Sequence, residues 1–368
     1  MFNLFKKKKE EGKIGDHYLS LKVREVVKET PDTVTIYFEQ PEPYLEYKPG
    51  QYLSVILEID GKEVRRSYSL CTSPFLDPHP GITVKRVEKG LVSNYLNDQI
   101  RPGKTLQVMK PMGNFTIDFH SKNTRQFVMI AGGSGITPVM AIAKSVLVNE
   151  PLSRVDILFC SRSEDQIIFR SELERLSESH GDRFQVSHRL SRPTSAWTGE
   201  KGRMDHTALS RYLDAIQQNT HQPVHYFLCG PEGLMEIGLD LLADRKVNPD
   251  LIHRESFYSD IDAKEKAMKA SGQLAPALTR DIEIVLEGKS HQVEVTPGKT
   301  ILEAGLDMDL DMPYSCQSGL CTACRGRLLS GKVDMIEDAG LSQSEVAQGY
   351  ILCCSSKPAS DNIKIIIE

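Results

Sequence analysis

Three cysteines near the end of the chain, Cys316, Cys321 and Cys324, stand as C-x4-C-x2-C, and a pair, Cys353-Cys354, follows with 29 residues between Cys324 and Cys354. A tight loop can deliver three sulfurs to one small volume, and a distant fourth closes the cage. Four converging thiolates suit either a two-iron, two-sulfide cluster or a zinc ion. Zinc sites usually pair a CxxC with a second short chelate, whereas here the long arm carries only adjacent cysteines. Adjacent side chains on an extended segment point to opposite sides, so one of the pair is a spectator. The loop is slim: Ser315, Ser318, Gly319, Thr322 and Ala323 leave backbone amides room to donate to sulfur. The reading taken forward is a [2Fe–2S] cluster on Cys316, Cys321, Cys324 and Cys354. The last segment must then fold around that cage.

Eight cysteines call for a reason of this kind because no export signal is visible. Lys6 to Lys9 are followed by Glu10, Glu11, Gly12 and Lys13, where a secretory signal would place an apolar run. Residues 1–16 read as a flexible, solvated tail, with weak attachment to anionic lipid as the sharper alternative. The expected compartment is the cytoplasm, where thiols stay reduced. Phe127 to Val148 is the most apolar stretch, but Gly132, Gly133, Gly135, Pro138 and Lys144 divide it into strand, turn and helix, so no membrane span is expected. A net charge of −5 gives no reason to expect a nucleic-acid partner. The 368 residues leave room for two to three domains.

Strand and helix periodicities divide the chain. Residues 17–120 hold short strands and Pro/Gly turns, among them the alternating Thr33–Phe38, Gln51–Ile59 and Gly81–Lys85, which indicates an antiparallel β-barrel. Over 121–258 the apolar strands Phe127–Ala131, Val155–Phe159 and His225–Cys229 alternate with helices, the pattern of an α/β doubly wound parallel sheet. Residues 259–279 are polar and charged, with too few large apolar side chains for a core, and read as a linker. Residues 280–368 open with the strand Ile282–Leu286, continue with His291–Val295 and end on Ile363–Ile367, enclosing the cysteines. A multidomain chain is expected.

Arg66-Ser67-Tyr68-Ser69 ends a barrel strand. A flavin needs an aromatic surface beside its ring, a cation for its pyrophosphate and a hydroxyl near N5. Tyr68, Arg66 and Ser69 can supply these in that order, although a lone strand tyrosine is more often core. Gly90-Leu-Val-Ser93 precedes a helix, where Ser93 and free amides make a phosphate cradle. In the second segment Gly132-Gly133-Ser-Gly135-Ile-Thr137 follows a strand and opens a helix, so that backbone can approach a pyrophosphate at a helix start. Cys229-Gly230-Pro231 follows a later strand. Ser161-Arg162 sits where a ribose 2′-phosphate would lie, with Arg170 in support, which favours NADPH. Glu164 and Asp165 nearby argue for NADH.

R-x-Y-S, G-x-x-S and Pro111-Met-Gly-Asn-Phe115, in that order and joined by the G-G-S-G-I-T-P and C-G-P-E-G strings, resemble the ferredoxin–NADP reductase superfamily. The resemblance implies FAD, with FMN the alternative, held by Arg66, Ser67, Tyr68 and Ser69 and lined by Lys85, Val87, Gly90 and Ser93. It implies a nicotinamide beside Gly132, Gly133, Gly135, Gly230 and Pro231. Ser69, Thr137 and Cys229 would then stand nearest the hydride path, and Phe257 would bring an aromatic over the flavin. The last segment, through Pro313-Tyr-Ser-Cys316 and Gly349-Tyr-Ile-Leu352, resembles plant-type ferredoxins, implying an α+β β-grasp-type domain. Cys353 departs from the usual serine there.

Reductase first and ferredoxin last resembles oxygenase reductases of the phenylacetyl-CoA epoxidase kind, implying a separate terminal oxygenase of the diiron type as partner. Donors to other hydroxylases and desaturases share the order. Acidic Asp307, Asp309, Asp311, Glu337 and Asp338 offer a surface for a basic partner. Three competing readings remain: a zinc-bearing regulatory module, a redox sensor, and a diaphorase that works without its last domain.

Overall fold

The computed structural model describes residues 18–216, 222–258 and 261–367. The expected tail with its lysine run lies outside the described residues. The first domain contains β1 (Tyr18–Thr30), β2 (Thr33–Phe38), β3 (Tyr52–Ile59), β4 (Lys62–Ser69), β5 (Gly81–Lys85), helix α1 (Leu91–Gln99) and β6 (Thr105–Met109). Its sheet runs β4-β3-β6-β1-β2-β5, antiparallel throughout, and a Leu70–Ile82 bridge joins the two ends into a barrel. β3 and β4 turn through Asp60-Gly61, both at positive φ, which suits the twist of a two-residue hairpin. Ile36, Phe38, Leu53, Val55, Ile82 and Leu96 fill the interior.

The second domain contains β7 (Gln126–Gly132), α2 (Ile136–Asn149), β8 (Arg154–Ser161), α3 (Arg170–His180), β9 (Phe184–Leu190), β10 (Glu200–Lys201), α4 (His206–Ala215), β11 (Val224–Cys229), α5 (Glu232–Asp244) and β12 (Ile252–Glu255). The parallel sheet runs β10-β9-β8-β7-β11-β12. The chain builds outward from β7 to β10, then returns to the other side with β11. The gap between β7 and β11 is therefore the topological switch point, where ligands meet the carboxyl ends of strands. Gly132 and Cys229 lie at those ends.

Residues 259–279, expected only to link, carry the helix α6 (Ile261–Ala270). Its support is ionic: Glu265 pairs with Lys269 one turn on and with Lys357, and Lys264 reaches Glu337, each at 2.6 Å. A search for buried apolar faces passes over a helix held this way. The third domain follows with β13 (Arg280–Leu286), β14 (Lys289–Val295), α7 (Ile301–Asp307), β15 (Arg325–Ser330), β16 (Val333–Met335), α8 (Gln343–Ala347), β17 (Tyr350–Leu352), β18 (Ser356–Pro358) and β19 (Lys364–Ile367). Its mixed sheet runs β14-β13-β19-β15-β17, with β13 and β19 parallel, and α7 packs on it through Ile301 and Leu302 in a β-grasp arrangement.

Candidate functional site

The loop between α7 and β15 gathers the sulfurs. Cys321, Cys324 and Cys354 are buried and Cys316 is half-buried. The amide of Gly319 donates to Sγ of Cys354 at 3.3 Å, Ser318 to Cys316 at 3.4 Å, Cys354 to Cys324 at 3.4 Å and Cys316 to Cys321 at 3.5 Å. The thiols of Cys321 and Cys354 hydrogen-bond to that of Cys316 and hold it well below the ordinary thiol range; the same pairing raises those two. Linked in a row, Cys321 to Cys316 to Cys354 to Cys324, and each met by a backbone amide, the four thiols are a donor set that fits a four-thiolate cluster. Gly319, at φ +72°, is needed there because a Cβ would stand 2.5 Å from the Glu337 side chain. Cys353 turns the other way. It is 0% exposed, packs among Leu302, Ile351 and Ile365, and has its sulfur 3.5 Å from where a Cβ on Gly326 would be.

A cavity of about 300 Å³ separates this loop from the end of β4. Arg66, Ser67, Ser69 and Phe257 line one side, and Cys316, Ser318 and Cys321 the other. Phe257 is 46% exposed and stands as a wall of this cavity. Tyr68 is half-buried and packs against the barrel core, so of the expected flavin contacts on β4 it is the one outside the cavity. Glu255, which sequence reading passed over, faces the same space. The Ser69 hydroxyl donates to Glu255 Oε2 at 3.2 Å, and burial pushes the Glu255 carboxyl up to about 8. Its signal was faint, since a single acid at the end of a strand has no motif of its own.

On the other side of the barrel a cleft of about 990 Å³ runs between the first two domains. Lys85, Val87, Gly132, Gly133, Ser161, Arg162 and Pro231 line it. Lys85 is held by Asp32 at 2.9 Å and Gln166 at 2.8 Å. The Ser93 hydroxyl accepts from the Val87 amide at 3.1 Å, and therefore shapes the turn around Gly90. Gly132, Gly135 and Gly230 permit close approach of the loops after β7 and β11: a Cβ on Gly135 would lie 2.0 Å from the Cys229 carbonyl oxygen. Thr137 and Cys229 are buried at this crossing, with the Thr137 hydroxyl donating to the Ser134 carbonyl at 2.9 Å. Neither lines the cleft.

Arg170 does not reach the cleft either; it pairs along α3 with Glu174 at 3.0 Å. Arg189 and Arg203 line the cleft instead. Arg189 is committed to Glu200 at 2.8 Å, which leaves Arg162 and Arg203 as exposed cations beside Ser161. Among the described residues the buried Ser161 hydroxyl has no hydrogen-bond partner. Glu164, which argued for NADH, is turned away onto the Thr194 amide at 3.1 Å.

Three family models match the chain: an oxidoreductase FAD-binding domain over residues 18–117, an oxidoreductase NAD-binding domain over 129–238 and a 2Fe-2S iron-sulfur cluster binding domain over 284–359. Over 367 residues the chain is 35% identical to the ferredoxin reductase component of 3-ketosteroid-9-alpha-monooxygenase from Mycobacterium tuberculosis, covering 96% of each. The chain belongs to the oxygenase reductase components. Within that family it is 33% identical to one of the subunits of 1,2-phenylacetyl-CoA epoxidase from Escherichia coli, over 94% of this chain and 96% of that one. The fold is that of phthalate dioxygenase reductase, with a TM-score of 0.56 at 23% identity over 95% of this chain and 98% of that chain. The cofactors of this reductase component are accordingly FAD, NAD(P)H and a [2Fe–2S] cluster, which removes the zinc reading of the cysteines. Among the described residues no helix is long and apolar enough to cross a membrane.

Proposed function

We propose that this reductase component draws electrons from NADPH and delivers them singly to a separate terminal oxygenase, with the cluster held by Cys316, Cys321, Cys324 and Cys354. The observation that carries the reading is the shared cavity in which Ser69 and Phe257 face Cys316 and Cys321. When bound there, the flavin supplies the conversion of a two-electron hydride into single electrons that the cluster can carry one at a time. The chain's own residues do the rest. Arg66 offers its cation to the flavin's phosphates, Phe257 and Tyr258 narrow the way in for water, and Glu255 with Ser69 keeps a proton at the carboxyl edge of the cavity. A diaphorase that ignores its last domain has no use for cluster ligands lining the cavity at the end of the flavin strand.

For the nucleotide, the unpartnered Ser161 hydroxyl and the exposed Arg162 and Arg203 form a site for a 2′-phosphate. Relatives named for phenylacetyl-CoA epoxidase and 3-ketosteroid-9-alpha-monooxygenase support an oxygenase as the acceptor class and leave its substrate open. The four cysteines outside the cluster, Cys71, Cys160, Cys229 and Cys353, are free thiols, in keeping with a cytoplasmic setting. The test is NADPH-driven reduction of cytochrome c, a one-electron acceptor, by the full chain and by Cys324→Ser. The reading expects cytochrome c reduction to collapse in the variant while ferricyanide reduction persists. Equal cytochrome c rates with and without the cluster would overturn it.

A further inference from the structure

β3 and β4 form a hairpin in which Tyr52 pairs with Ser69, Ser54 with Ser67 and Ile56 with Arg65. Directly paired residues share a face, so Tyr52, Arg65, Ser67 and Ser69 all project from one side of the hairpin. The cluster loop sits on the first of these faces at three points. The Tyr52 hydroxyl accepts from the Thr322 amide at 3.0 Å and meets the Thr322 hydroxyl at 3.1 Å. Ser67 Oγ lies 2.9 Å from Ser315 Oγ. Arg65 donates to the Tyr314 carbonyl at 3.3 Å, with its guanidinium 4.1 Å from the centre of the Tyr314 ring.

Tyr52 is the most enclosed of these contacts. It is 4% exposed and packs in a small apolar cluster with Met112, Cys316, Cys321 and Ala323. Its backbone is pinned to Met112 by two hydrogen bonds, of 2.8 and 3.1 Å. This also accounts for the Pro111-Met-Gly-Asn string, which the flavin and nucleotide sites leave unused. Gly113 clears the Tyr52 ring, since a Cβ there would stand 3.0 Å from two ring carbons. Asn114 donates to both carboxylate oxygens of Glu345 at 2.8 Å, a second tie to the cluster domain.

We propose that Tyr52 is a positioning residue for the passage of electrons between the two cofactors: its hydroxyl seats the amide beside Cys321 on the strand pair that carries Ser69. The proposal rests on the electron-transfer reading above. Thr322 and Tyr52 stand 270 positions apart in sequence, so the contact does nothing for either domain's own fold. What it fixes is the register between them. Small displacements matter here because a misplacement on the order of 1 Å can cost roughly 100-fold in a step that depends on geometry.

Tyr52→Phe in the full-length holoprotein tests this, because it keeps the ring and removes only the oxygen. Hydrogen exchange of a peptide spanning residues 314–324 reads the seat, and stopped-flow absorbance after mixing with NADPH separates flavin reduction from cluster reduction. The expected result is faster exchange in that peptide, an unchanged rate of flavin reduction, unchanged iron content and roughly tenfold slower cluster reduction. Arg65→Lys, which keeps the charge but removes the planar stack on Tyr314, is expected to act in the same direction and more weakly. Unchanged exchange and unchanged cluster reduction in Tyr52→Phe would overturn the proposal. Loss of iron would also overturn it, by assigning the hydroxyl to cluster assembly. Failure of the electron-transfer reading looks different: wild-type protein would then show no cluster reduction by NADPH, whatever the exchange data say.

Discussion

The Ser69 hydroxyl lies 3.2 Å from Oε2 of Glu255, and the contact joins the barrel to the last strand of the nucleotide domain. β12 pairs Glu255 with Cys229 of β11, and β11 in turn pairs Cys229 with Ala131 of β7. The carboxyl therefore stands in line with the switch-point loops. Its position in the structure raises it from 4.5 to about 8, desolvation outweighing the bond from Ser69. The folded protein keeps a proton there that the unfolded chain releases near 4.5, so this contribution to stability is complete below that pH and is lost as pH rises through about 8. Thermal melts of wild type and Glu255→Gln should diverge accordingly: the wild type loses ground as pH rises from about 5, and the gap levels off beyond about 8. A constant gap across that range would contradict the shift.

The paired cysteines separate by role. Cys354→Ala is expected to lose bound iron and the cluster's visible absorption. Cys353→Ala is expected to keep both and to lose stability by about 1 kcal/mol, the scale of a small deletion in a packed core. Iron analysis with a denaturant melt on each variant decides. Loss of iron in Cys353→Ala alone would exchange the two assignments.

On the proposed reading, Arg162 and Arg203 bind the nucleotide's 2′-phosphate. A charge-assisted contact to phosphate is worth about 1.5–3 kcal/mol, so Arg162→Ala should raise KM for NADPH roughly tenfold or more and leave KM for NADH nearly unchanged. Arg203→Ala should do the same, whereas Arg170→Ala, which removes only the pair with Glu174, should change neither. Parallel rises for both nucleotides would show that the arginines touch something the two share.

Gly135 is there for a packing reason. A methyl group at this position meets the Cys229 carbonyl at 2.0 Å, and backbone cannot yield as a flexible side chain does. Gly135→Ala should cost about 3 kcal/mol, the upper end of overpacking effects, and lower the melting temperature with or without nucleotide. A variant that melts with wild type while binding NADPH weakly would show that the glycine serves the ligand alone.

The sequence was most legible where chemistry is local. Cys316, Cys321 and Cys324 lie within nine residues, Arg66 to Ser69 within four, and Gly132 to Thr137 within six. Each run carries its geometry in its own spacing, and alternation locates β2. Long-range contact was invisible. Nothing around Tyr52, Arg65 or Ser67 marks them as the seat for a loop some 250 residues later, because each would serve equally well in an ordinary strand. The Arg170 pair was hidden for a related reason: Phe169 takes a left-handed backbone (φ 58°) just before α3, which starts a helix whose arginine pairs along its own surface. The helix α6 escaped notice because ion pairs hold it, and periodicity arguments look for apolar faces.

The central claim is that one chain conducts from nucleotide to flavin to cluster. It is met most directly by anaerobic titration of the purified protein with NADPH, followed by absorption. Flavin bands and iron–sulfur shoulders are expected to bleach together, with full reduction of both by the same nucleotide. Bleaching of the flavin with the iron–sulfur bands untouched would contradict it.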